Sequence, residues 1–235
     1  MTLSARAQTV PSADRVKAAF PRNASVFVAF DAFWSLGSPC CLLATVGPAY
    51  LLNLGASKTL VQIVMVGMSL VTFLQIWSGW CFGGARRQMS QLTIWAAYSL
   101  LWLGFGVLGL ALWHWLPAGA WIVLFALLCG AQAVIGHLAG PAYAEMVLEN
   151  TPIGWRGRLA SLRSLGGGVC GIGGLWLAAW LMGRSEAPTN FHLSFIVGGV
   201  FMLLSCASVL FMRDGGSPAG APETAGSAIR AAKEL

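Results

Sequence analysis

Two titratable side chains lie inside apolar sequence: Asp31 in SVFVAFDAFWSLG and His137 in LLCGAQAVIGHLAGPAY. At the centre of a membrane helix a carboxylate costs about 2.5–3.5 kcal/mol on insertion scales, so Asp31 is a candidate for proton or ion chemistry wherever it is kept. Asp31 is some two turns, or about 10 Å at 1.5 Å per residue, from the start of its apolar run, and His137 is at a similar distance from the end of its own. If the two helices run in opposite directions and face one cavity, the pair can meet and share a proton. Alternatively, Asp31 snorkels to the surface or pairs with Arg22. Gln132 falls near the middle of the same run as His137, where an amide can line a substrate cavity or bond a neighbouring helix, and Gln62 and Gln75 flank that depth on another run.

A second group of charges sits close together in sequence. Glu145 and Glu149 follow Gly140-Pro141 and precede Arg156, Arg158 and Arg163, a spacing that suits a charge cluster holding a connection or gating it. Downstream, Gly166-x-Gly168-x-x-Gly171 has the spacing of a dinucleotide-binding fingerprint. That fingerprint requires a preceding strand and an acidic residue about 20 positions on that can hold a ribose. An arginine-rich stretch precedes it here, and Glu186 lies in the polar loop RSEAPTN. The glycines read better as small-x-x-x-small rows, Gly167 with Gly171 and Gly166 with Cys170 and Gly174, which let helix backbones approach closely. Replacing Gly171 by Leu is expected to impair assembly or transport. Six cysteines show no C-x-x-C spacing and read as small apolar thiols, so neither a metal site nor a cofactor is expected. One intramembrane Asp and no G-x-S-x-G leave intramembrane proteolysis without a constellation, and no enzyme is expected.

The elements that must position these residues follow from composition. Of the 235 residues 57% are hydrophobic and only 9% charged, against about 25% charged in an ordinary soluble domain. Such a chain needs a bilayer as its solvent. Apolar runs long enough to cross a core of about 30 Å occur at 25–53, 59–82, 92–115, 121–144, 164–183 and 191–212. The predicted fold is therefore all-α: a polytopic membrane protein of six transmembrane helices in residues 25–213, with an N-terminal tail (1–24) and a flexible Gly/Ala/Pro/Ser-rich C-terminal tail (214–235). Gly37, Pro39, Gly47 and Pro48 predict that the first span is tilted or broken.

Twelve of the 14 Lys and Arg fall on one side of this arrangement, in the two tails, the second-to-third connection (Arg86, Arg87) and the fourth-to-fifth connection (Arg156, Arg158, Arg163). Only Lys58 and Arg184 fall on the other. Lys and Arg stay on the cytoplasmic side, which predicts both termini in the cytoplasm of a chain seated in the cell (inner) membrane. Trp113, Trp115, Trp121, Trp176 and Trp180 would form the outer interfacial belt, and Trp77, Trp80 and Trp155 the inner one. The net charge of +6 is spread over four segments and accounted for by this topology, so no nucleic-acid partner is implied.

Six spans with cytoplasmic ends, the turn TVGPAYLLNLGASKTLVQIVMVG, the basic connection GWCFGGARRQ and the entry PAYAEMVLENTPIGWRGRLASLRSLGGG together resemble the N-terminal half of a major facilitator superfamily (MFS) transporter, over about residues 25–214. The resemblance implies a half bundle, secondary transport of a small solute, and a second half supplied by another copy or another six-span chain. It also implies cytoplasmic gating by Arg86 and Arg87 and by Glu145, Arg156, Arg158 and Arg163. The chain departs from the family where Gly83 stands in the aspartate position four residues after Gly79, so that pairing would have to be made elsewhere. A non-transporting scaffold or regulatory subunit, or a truncated product, is the alternative reading.

Overall fold

The computed structural model describes residues 13–41, 45–78, 81 and 87–213. The tails 1–12 and 214–235, and the connection residues Gly79, Trp80 and 82–86, with Gly83 and Arg86 among them, lie outside that set. Among the described residues every regular element is helical: α1 (Ala13–Cys41), α2 (Val46–Asn53), α3 (Lys58–Leu70) continued by a 3₁₀ segment (Val71–Trp77), α4 (Arg87–Leu112), α5 (Ala118–Glu149), α6 (Arg156–Arg184) and α7 (Thr189–Val209). Six of the resulting rods are long and apolar enough to cross a membrane.

In the first span α1 runs to Cys41, with Pro39 inside it, and α2 begins at Val46; residues 42–44 between them lie outside the described set. Residues 13–24, assigned from sequence to a tail, form the first turns of α1. Between α2 and α3 the chain reverses at Gly55, whose φ of 84° few other residues adopt, and Ser57 caps α3 by accepting from the Leu60 amide at 3.1 Å. Gly140-Pro141 does not end the fourth span. α5 runs through it to Glu149, and Asn150 and Thr151 close its end with side-chain bonds to the Met146 and Val147 carbonyls.

α7 is the central rod, with α1 on one side and α4 on the other, both antiparallel to it. Glycines set these separations: a Cβ on Gly37 would fall 2.6 Å from the Gly198 carbonyl, and one on Gly199 would fall 2.8 Å from the Leu103 amide. At such distances backbones pack by van der Waals contact, the main attraction left between helices when lipid is as apolar as the core. Hydroxyls add cross-links without needing water: Ser194 donates to the Cys40 carbonyl at 3.0 Å and Ser205 to the Phe30 carbonyl at 2.7 Å. At one end Arg22 and Asn23 bind the close of α7 through the carbonyls of Phe211 and Arg213. At the other end Tyr50, Phe105, Phe125 and Phe195 form an aromatic core with ring centroids 5.1–5.9 Å apart. α6 lies parallel to α1 on its outer side, and α5 packs on α4 and on the 58–77 rod.

Candidate functional site

Asp31 projects from the middle of α1 toward α6 and meets Arg163. The Arg163 Nε donates to Asp31 Oδ2 at 2.5 Å and an Nη to Oδ1 at 3.2 Å, a bidentate fork that matches the planar guanidinium to the carboxylate. Tyr143, from α5, donates its hydroxyl to Asp31 Oδ1 at 3.4 Å, and its ring lies under the guanidinium with 5.4 Å from Cζ to centroid. Three helices thus converge on one carboxylate. Phe30 stacks on Tyr143 at 4.6 Å, holding the phenol in place.

Local sequence explains why the arginine reaches this depth. α6 begins at Arg156, two turns before the apolar run begins, so Arg163 enters on a helix and not on a loop. It stands seven residues, about 10 Å, inside that helix. Arg156 and Arg158 stay at its mouth: Arg156 donates to the carbonyls of Leu148 and Thr151, and Arg158 lies over the Trp155 ring at 4.9 Å. The five-residue charge cluster expected from the sequence is therefore divided, with Arg163 withdrawn from it to serve Asp31, while Glu145 and Glu149 remain on the exposed side of α5. Arg87 is the first residue of α4.

Asp31 and His137 are not brought together, nor does Arg22 reach Asp31. His137 faces the 3₁₀ segment, where its Nδ1 is 3.1 Å from the Gln75 amide and its Nε2 is 3.4 Å from the Thr72 hydroxyl. The Thr72 hydroxyl in turn donates to the Ser69 carbonyl at 2.7 Å. Gln132 is buried and donates to the Tyr98 carbonyl at 2.9 Å, tying α5 to α4. Gln62 is exposed.

The ion pair is not sealed. Its side chains retain 22% and 23% exposure, and beside them the α1–α6 seam opens into a cleft of about 570 Å³ walled by Trp34, Ser35, Ser164, Gly167 and Gly168. The glycine row makes this seam. Along α6, a Cβ on Gly166 would meet Val28 at 3.4 Å, one on Gly167 would meet Ser35 Oγ at 3.1 Å, and one on Gly174 would fall 2.5 Å from the Leu36 carbonyl. Gly171 is looser, with Ser35 Cβ at 4.0 Å. The row packs against α1 as its spacing predicts, but its tight point is Gly174.

Two features escape a reading of the sequence. Tyr143 was invisible because a tyrosine in an apolar run looks like any interfacial aromatic. His192, a lone histidine near the start of the last span, is fully buried among Tyr50, Phe105, Trp113, Trp121 and Phe195, and neither ring nitrogen has a hydrogen-bond partner among the described residues. No group of His, Cys, Asp and Glu that could hold a metal occurs among the described residues. No protein-family model, curated protein or solved structure matches the chain.

Proposed function

We propose that the chain is one six-span half of a secondary active transporter of MFS type, moving a small solute as a homodimer or with a second six-span chain. It is seated in the inner membrane with both termini in the cytoplasm. The observation that carries this reading is the Asp31–Arg163 pair, held between two apolar rods yet open to a cleft on the outside of the bundle. Charge at that depth does not face hydrocarbon when protein or a watered cavity can cover it. A second six-span unit related by a two-fold along the membrane normal would cover the cleft and turn it into a central cavity.

The pair also supplies a means of coupling. Protonation of Asp31 removes the charge that the guanidinium holds, leaving α1 and α6 joined by the close approach along the glycine row. Reconstituted protein is expected to drive uptake of a solute into liposomes along an imposed proton gradient, and Asp31→Asn is expected to abolish it at unchanged protein level. Protein that moves no solute from a broad panel, as purified or with a co-expressed six-span partner, overturns the reading.

A further inference from the structure

The cleft beside Asp31 and Arg163 has a chemistry that selects its occupant. It offers one fixed anion and one fixed cation already in contact, an indole wall at Trp34, and the hydroxyls of Ser35 and Ser164, for which the described residues show no hydrogen-bond partner. Its volume of about 570 Å³ lies within the roughly 300–1,000 Å³ usual for small-molecule clefts. At Gly168 a Cβ would meet nothing within 4 Å, so the space there is free for a ligand.

A ligand that enters must leave both protein charges satisfied. One that carries only an amine would pair with Asp31 and strand the guanidinium, and one that carries only a carboxylate would take Arg163 and strand Asp31. A stranded charge in a partly desolvated site weakens binding on the order of 100-fold. A ligand that carries both groups inserts between the two side chains, ammonium on Asp31 and carboxylate on Arg163, and keeps every charge paired. We propose that this cleft binds a small zwitterion of the α-amino-acid type by exchanging the internal ion pair for two intermolecular ones, with the ligand's apolar part against Trp34. This rests on the transport reading for its biological sense but not for its binding test.

The test uses full-length protein in nanodiscs of phosphatidylglycerol alone, so that no zwitterionic headgroup competes. A panel of α-amino acids is measured by equilibrium binding beside the amine-only and acid-only analogues of each side chain. The expected result is saturable binding of at least one amino acid, with both of its singly charged analogues weaker by on the order of 100-fold. Gly168→Leu, which fills the cleft without touching the ion pair, is expected to weaken binding at least 10-fold while the thermal transition is retained. Equal affinity for an amine-only or acid-only analogue overturns the proposal, as does binding unaffected by Gly168→Leu, or no binding by any amino acid. Zwitterion binding without uptake would sink the transport reading and leave the site standing. Uptake of a singly charged or neutral solute, with no zwitterion bound, would do the reverse.

Discussion

Removing both members of the Asp31–Arg163 pair should cost less than the sum of removing each alone. Two unit charges about 3 Å apart attract by ~5 kcal/mol at an effective dielectric constant near 20, and desolvation of both groups takes back part of that. With side chains 22% and 23% exposed, the pair belongs between exposed ion pairs, worth about 0.2–1 kcal/mol, and buried ones, whose breaking costs about 3–5 kcal/mol. A net coupling of ~2 kcal/mol follows for this bidentate geometry. Arg163→Met should be the worse single change, because it leaves Asp31 with only the Tyr143 hydroxyl at 3.4 Å, whereas Asp31→Asn keeps an oxygen that can accept from both neighbours. The assay is reversible unfolding in mixed micelles titrated with SDS, followed by far-ultraviolet circular dichroism and tryptophan fluorescence on wild type, both single variants and the double variant. The expected double variant is less destabilised than the sum of the singles by ~2 kcal/mol. Strict additivity, within about 0.5 kcal/mol, would refute the claim that these side chains hold each other.

Gly174→Leu should disrupt the α1–α6 seam, costing ~3 kcal/mol or preventing folding, because its added carbon would fall on the Leu36 and Ser35 carbonyls. Gly171→Ala should be neutral or stabilising by up to ~1 kcal/mol, being a helix-favouring change into ordinary contact, and equal damage from the two would contradict the observed register. Gln132→Met should cost about 0.6 kcal/mol, the usual worth of an interhelical hydrogen bond in a membrane, and leave solute binding unchanged. Loss of binding in that variant at intact stability would move Gln132 back into the cavity lining. Cys81 is exposed, so in right-side-out vesicles a membrane-impermeant maleimide should label it only after the membrane is opened. Labelling of intact vesicles at Cys81 would reverse the proposed orientation.

Much of the architecture was legible because the bilayer imposes a length rule. A run of about 20 residues without charge has few alternatives to a spanning helix, and six helices long and apolar enough to span are present among the described residues. Boundaries were less legible. Arginines at the edge of an apolar run look like the interface, yet α6 starts at Arg156 and carries Arg163 inward, since a helix can extend past its apolar stretch when a carboxylate on its neighbour receives the charge. The run read as 121–144 extends to Glu149 through Gly140-Pro141, since a proline inside a membrane helix is tolerated where packing supports the freed carbonyl.

The sequence by itself determined that this chain is a bundle of apolar rods, that Asp31 is a costly residue needing a partner, and that the glycines of the fifth span form a packing face. These are properties of composition and of spacing along one helix. Which partner Asp31 takes, which glycine is the tight point, and that His137 turns to Thr72 and Gln75 instead of to Asp31 are matters of the relative rotation and axial register of different helices. A rotation of a few tens of degrees about a helix axis exchanges one facing residue for another while leaving every local pattern intact. Only the packing of α1 against α6, set by the close approach at Gly174, fixed that angle and so assembled the site.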